Sequence, residues 1–413
     1  MRWRPWQQLN SPALPFVNRF SRRRGPVAAG LKLRPRLSRL LAQENIQTPY
    51  QMRESQLVSH DDLAVCAIER TEYKARDAIH AAFFRGQMEP VWQGFFRGFK
   101  AWNKAEQSES EPDENVVNAA AEAFRYGHDL ITAEETEQWL AARGLNLEDF
   151  TDYFARQYWA GATAEEPEPV DVDFPSASGD VHEAFVVDLI LSGQLDQWTT
   201  ELMWRLAAEA VDKQIADDAI STEQQIFFDR CKVKRDEISR WLSQIGRDQE
   251  WFEQMLRLEA AYRGQCEKLL NPQARKRELV LMRLPLTRFE AEVVEVESMD
   301  AAKEALFCIQ EDGMSMQEVA AEARYPYRLV VFLRQEVPPD LEQKFLSVGV
   351  GEILGPFARG DGFELYRITQ KQEPDGDDPE VQQQIDQRLR ERYFSDLVSK
   401  HVESRLPSTA SGQ

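Results

Sequence analysis

The stretch from Leu341 to Ile368, LEQKFLSVGVGEILGPFARGDGFELYRI, decides how the C-terminal half of this chain is read. Behind Pro339, Leu341 and Phe345 stand four residues apart, the pattern of a short proline-opened helix. The run Val350 to Phe357 follows, and Phe363 to Ile368 then reads as a strand. Working outward, Arg328 to Leu333 (RLVVFL) is a further strand. Ser298 is placed to cap a helix through Ala302, Ala305, Leu306 and Ile309 that stops at Gly313, and Ser315 starts another through Val319 and Ala320. Phe289 to Val296 alternates in strand fashion, and Glu278 to Leu284 is a short apolar run suited to a buried strand. The order βααβαβ with short connections predicts a compact α+β domain over residues 275–372.

Upstream the texture is helical. From about Leu63 to Trp102, Phe83, Phe84, Met88, Val91, Trp92, Phe95, Phe96, Phe99 and Trp102 recur at three- and four-residue steps. Such a stripe is either core or, broken by Gly86, Gly94 and Gly98, a partly open groove for apolar segments. A charged loop at Ala105–Glu114 and an acidic, proline-bearing linker at 163–179 punctuate this half. They separate a helical domain at 59–162 from a second helical region at 180–274. The two parts read as distant repeats. Thr132 and Glu135 are spaced as a capping box, Thr222 opens a similar one, and Glu250–Leu256 resembles Glu148–Phe154. A long amphipathic helix through Phe185, Leu189, Leu195, Leu202, Leu206 and Val211 precedes the second part. A last helix, 379–404, carries Val381, Ile385, Leu389, Phe394, Leu397, Val398 and Val402 on one face, which folding back onto the helical half would bury.

The 413 residues carry a formal charge of −20, which excludes nucleic acid as a partner for the body of the chain, since phosphate binding needs a positive field. Residues 1–58 break the trend: eleven basic residues between Met1 and Arg53 face Glu44 alone. They read as a basic, poorly ordered arm able to reach a membrane-associated export partner. No apolar run is long enough to cross a bilayer, and no h-region follows the N-terminal arginines, so the cytoplasm is the expected compartment. Cys66, Cys231, Cys266 and Cys308 form no C-x-x-C pair and suit free thiols in a reducing environment. With histidine only at 60, 80, 128, 182 and 401, no metal, no cofactor and no Cys-His or Ser-His pair is expected.

Leu341 and Phe345, then Val350-Gly351-Glu352-Ile353-Leu354-Gly355-Pro356-Phe357, then Gly362-Phe363-Glu364-Leu365-Tyr366-Arg367-Ile368 resemble the C-terminal half of the parvulin (PpiC-type) peptidyl-prolyl isomerase domain. The layout is similar to SurA-like foldases, in which a helical chaperone region precedes such a domain and a C-terminal helix returns to it. The run Ile131–Tyr158 also looks like PpiC-related proteins of bacterial peptide maturation and export. The resemblance implies a mainly α chain with a C-terminal α+β domain, binding unfolded or precursor polypeptide. It implies an apolar peptide pocket at Val337, Leu341, Phe345, Leu354 and Phe357.

It also places two catalytic histidines of the family. Aligning Arg277-Glu278-Leu279-Val280 with the family's R-H-I-L puts Glu278 at the first, and Glu364 falls at the second. If these carboxylates face each other, one holds a proton or an arginine bridges them, with Arg283 and Arg367 near in sequence. The expectation is a chaperone-like peptide holder with weak or no isomerase activity. The alternatives are an active isomerase with a substituted site, or an adaptor in a peptide maturation or export system.

Overall fold

In a computed structural model of the chain, residues 59–162, 174, 177, 179–360 and 362–406 are described. The arm at 1–58 and most of the acidic linker lie outside them. The described residues form two compact units, one within 59–274 with 386–406 and the other within 275–385.

The helical unit opens with a hairpin, β1 (Ala64–Ile68) and β2 (Thr71–Lys74), then runs through α1 (Ala75–Phe84), α2 (Met88–Gln107), α3 (Glu114–Gly127), α4 (Ala133–Ala141) and α5 (Leu147–Ala162). It continues with α6 (Gly179–Leu191), α7 (Gln194–Val211), α8 (Asp217–Cys231), α9 (Ile238–Gln244) and α10 (Gln249–Leu269). Helix α11 (Pro272–Met282) leads into the α+β unit: β3 (Arg288–Val296), α12 (Met299–Gln310), α13 (Met316–Ala323), β4 (Tyr327–Leu333), α14 (Pro339–Ser347), β5 (Ile353–Arg359) and β6 (Gly362–Gln372). Helix α15 (Pro379–His401) passes back into the helical unit, where the short β7 (Glu403–Ser404) pairs with β1.

Several boundaries follow from local chemistry. Thr132 accepts from the Glu135 amide while Glu135 accepts from the Thr132 amide, closing the anticipated box at α4. Ser315 and Glu318 close a like box at α13, and Ser298 caps α12 by accepting from the Ala301 amide.

Four expectations are corrected. Ala64–Lys74 is a hairpin, not helix: Glu69 takes φ +53 in its turn, and the short Val- and Ile-bearing run pairs with β2 and β7. The anticipated long helix breaks into α6 and α7 at Gly193, which adopts φ +76. Thr222 lies inside α8 and donates to the Asp218 carbonyl at 2.8 Å, while Glu223 is buried against Arg263, so no capping box forms at Thr222. Glu278–Leu284 forms most of the last turns of α11 and the connection after it, because the Asn271 side chain accepts from the Ala274 amide at 3.0 Å, Pro272 takes the first helical position, and the run from Ala274 to Glu278 consists of good helix formers. The first strand of the domain is therefore β3, and the order is βααβαββ.

The aromatic stripe of α2 is core. Trp92 is 1% exposed and packs on Phe185 with ring centroids 5.0 Å apart, and Phe95 meets the same ring at 5.1 Å. At Gly98 a Cβ would stand 3.0 Å from that of Ala160, so glycine here lets α2 close onto α5 and the stripe offers no groove. Phe394, on the returning part of α15, fills the same unit by stacking on Trp204 at 5.5 Å and meeting Tyr262 at 4.8 Å.

Candidate peptide-binding face of the α+β domain

The sheet runs β4-β3-β6-β5, all antiparallel. Strand periodicity sorts its side chains into two layers. Val294, Val296, Phe363 and Leu365 pack under α12 and α13. Phe289, Ala291, Val293, Tyr366 and Ile368 point to the other side, where α14 supplies Phe345 and the segment before it Val337.

All five anticipated pocket residues belong to this second layer. Val337 and Phe345 are buried and form its floor, whereas Leu341, Leu354 and Phe357 are half-buried and present apolar surface. Phe345 anchors the arrangement, meeting Tyr366 edge-on at 5.3 Å, Phe332 at 5.5 Å and Phe357 at 6.0 Å. Helix α14 is held in place by Arg334, which bonds Glu342 at 2.7 Å. Lys344 lies 5.2 Å from the centre of the Phe357 ring, giving the apolar surface a cationic rim.

One end of the layer is polar. Glu364 is 4% exposed; Arg328 donates to its Oε1 at 2.5 Å, Tyr366 to its Oε2 at 2.6 Å, and Arg359 stands 3.5 Å from Oε2. Burial, reinforced by that bond to a carboxylate, pushes the Tyr366 phenol well above its ordinary range. The residue opposite Glu364 on β3 is Glu295, and Arg328 reaches its carboxylate at 3.2 Å. The acid facing Glu364 is thus Glu295 and not Glu278, and the arginine on both is Arg328. Glu278 sits buried on α11, outside the sheet, because that segment is helical. Arg283 pairs with Glu373, and Arg367 turns to the other face to bind Glu292.

Chemically, Glu364 is an engaged acceptor. A carboxylate satisfied by two arginines and a phenol orders the strand ends and is poorly placed to take a proton from a ligand. Burial pushes the Cys66 thiol up to about 12 and the Cys231 thiol up to about 11. Among the described residues no group of three His, Cys, Asp or Glu is arranged to hold a metal ion.

Tyr366, Arg328, Glu295, Val330 and Phe332 were not singled out from sequence. The two-residue alternation of Arg328-Val330-Phe332 and Glu364-Tyr366-Ile368 is the signal that places them on one face with the pocket.

No protein-family model and no curated protein matches the chain. Among solved structures it is similar to the peptidylprolyl isomerase PrsA from Bacillus anthracis, at 17% identity over 48% of this chain and 93% of that one, with a TM-score of 0.27. PrsA from Bacillus cereus matches at 14% identity over 52% and 85%, with a TM-score of 0.30. A SurA-like chaperone of Campylobacter jejuni matches at 14% over 52% and 88%, with a TM-score of 0.19. At these TM-scores the superposition is poor, and the fold rests on the strand order and helices described above.

Proposed function

We propose that this chain is a chaperone-like polypeptide-binding protein whose α+β domain holds apolar segments against Leu341, Leu354 and Phe357, with weak or no prolyl isomerase activity. The observation that carries this reading is one half-buried apolar face ending at a carboxylate whose oxygens are already engaged. Isomerising X-Pro lowers a barrier of about 20 kcal/mol by binding the twisted amide and excluding water. A face with an apolar floor supplies binding, while Glu364, committed to Arg328 and Tyr366, supplies no mobile proton. Contacts to a client would be apolar and tolerant of its sequence. Unfolded or precursor polypeptide is the proposed client, and a reducing cytoplasm, in keeping with four free cysteines, the proposed compartment.

The reading is tested by assaying suppression of aggregation of an unfolded protein together with isomerisation of short X-Pro peptides, for the native chain and Leu341→Asp. Suppression lost in Leu341→Asp, with no catalysis in either protein, supports it. Catalysis by the native chain that Leu341→Asp abolishes makes the domain a working isomerase and overturns the reading.

A further inference from the structure

We propose that Ser59 to Asp62, the segment leading into β1, is a pH-gated strap: two crossed histidine–carboxylate pairs close it on α6 in weakly acidic solution, and loss of the imidazole protons opens it as the pH rises.

The pairs are reciprocal. Consecutive residues His60 and Asp61 share one helical turn, His60–Asp62, and meet the consecutive Glu183 and His182 of α6. His60 Nδ1 faces the Glu183 carboxylate, which also accepts from the His60 amide at 3.3 Å and from the Ser59 hydroxyl at 3.4 Å. In the other direction, Asp61 Oδ2 lies 2.8 Å from His182 Nε2. The second ring nitrogen of His60 stands 3.0 Å from the carbonyl oxygen of Gly144, which follows α4. The strap thereby joins β1, α6 and the connection between α4 and α5.

Each pair depends on the proton state of its ring. A neutral imidazole carries one N–H and a charged one carries two. His60 has an acceptor at both nitrogens, so only its charged form donates to both; once neutral, it turns a lone pair on either Glu183 or the Gly144 carbonyl. His182 keeps an N–H for Asp61 when neutral, but the bond loses its charge assistance. Asp61 has no substitute, because its Oδ1 is buried without a hydrogen-bond partner among the described residues. The charges packed around the strap are committed elsewhere: Asp62 pairs with Lys74 and Arg76, and Arg247 bonds both Asp77 and His80.

The bond from Asp61 raises the His182 imidazole above 6.5, against burial and with help from Glu183. Burial pushes Asp61 up, but the bond to His182 and the charges of His182, His80 and Arg76 hold it below 3.8. The stability that the His182–Asp61 pair contributes is therefore complete between 3.8 and 6.5 and is lost as pH rises through the raised histidine value. His80, pushed down to about 4 by burial, acts in the opposite sense below 6.5. A local readout separates the strap from that global effect.

The test follows the full chain by NMR. The Asp62 and Leu63 amides donate to the Ser59 and His60 carbonyls and so report the closed strap. Their protection, taken against the unfolded exchange rate at each pH, should fall about tenfold from pH 6 to pH 8.5, while Leu202 and Leu206 in the core of α7 change by less than about twofold. In His60→Gln/His182→Gln the amides can still bond Glu183 and Asp61 but have no proton to lose, so the profile should be flat; a merely structural role would lower protection at every pH and keep the slope. Glu183→Gln, a milder change, should flatten it in part, and the His182 ring should titrate lower in Asp61→Asn than in the native chain. Native protection at Asp62 and Leu63 that stays within about twofold over this range overturns the proposal without recourse to any variant. So does a slope that survives in the double variant, or a loss that α7 shares.

Discussion

Replacing Glu364 by leucine distinguishes a carboxylate that holds the sheet from one that acts on a ligand. Tyr366 is 9% exposed and donates to Glu364 at 2.6 Å. Hydrogen bonds to charged groups contribute about 1.5–3 kcal/mol net, and a buried hydroxyl left without a partner costs about 1–3 kcal/mol. The Arg328 side chain is 42% exposed and retains Glu295 at 3.2 Å, so its share is only about 0–1 kcal/mol. After the gain from an added apolar side chain, Glu364→Leu should destabilise the α+β unit by about 2–4 kcal/mol. In Glu364→Leu/Tyr366→Phe no hydroxyl is orphaned, so the pair should cost about 1–2 kcal/mol less than the sum of the single changes. The sequence supplies an internal control. Residues 275–385 contain no tryptophan, and the described tryptophans, Trp92 to Trp251, all lie in the helical unit. Amide exchange in β3 and β6 should therefore accelerate in Glu364→Leu while the indole fluorescence transition stays in place, and the double variant should recover part of the protection. Native exchange rates in Glu364→Leu would refute the structural role and return Glu364 to the list of groups able to act on a ligand.

Other sites bear on the same architecture. Gly355 adopts φ +117, and a Cβ there would stand 2.7 Å from the Glu364 carbonyl oxygen, so Gly355→Ala should cost about 1–3 kcal/mol and loosen exchange in β5 and β6. In the helical unit, Arg156 donates twice to Asp188, at 3.0 and 2.5 Å, and burial pushes that carboxyl up to about 6 against the pull of the guanidinium. Arg156→Met strands the acid and should cost about 3–5 kcal/mol, read as a lower denaturant midpoint by tryptophan fluorescence. Burial, with help from neighbouring Arg247, pushes His80 down to about 4, although Asp61 and Asp77 pull the other way. A depressed histidine means that the unfolded chain binds a proton first, so the stability tied to His80 is full above pH 6.5 and is lost as pH falls toward 4. The slope of unfolding free energy over that window should flatten in His80→Gln; an unchanged slope would assign the acid sensitivity to other groups.

Patterns confined to a few neighbouring residues were legible in the sequence. The box at Thr132 and Glu135, the caps at Ser298 and Ser315, the proline-led α14 and the strands around Val330 and Leu365 all depend on spacing within one turn or one pleat. The five pocket residues were named through the family resemblance; a four-residue step on α14 puts Leu341 and Phe345 on one side, while the slip in pairing between Leu354 and Phe357 on β5 brings those two to the same face. Tertiary structure decided what depends on partners distant in the chain. The apolar end of α11 satisfies either a strand or a helix pattern, and the cap at Asn271 together with the preceding helix formers settles it. An aromatic stripe is equally suited to groove and core until Phe185 and Ala160 close over it. The acid facing Glu364 was misread because strand register, a long-range property, sets Glu295 opposite it and brings Arg328 to both. Local spacing thus determined which elements form and which faces they offer, while the identities meeting across those faces awaited the pairing of segments far apart in sequence.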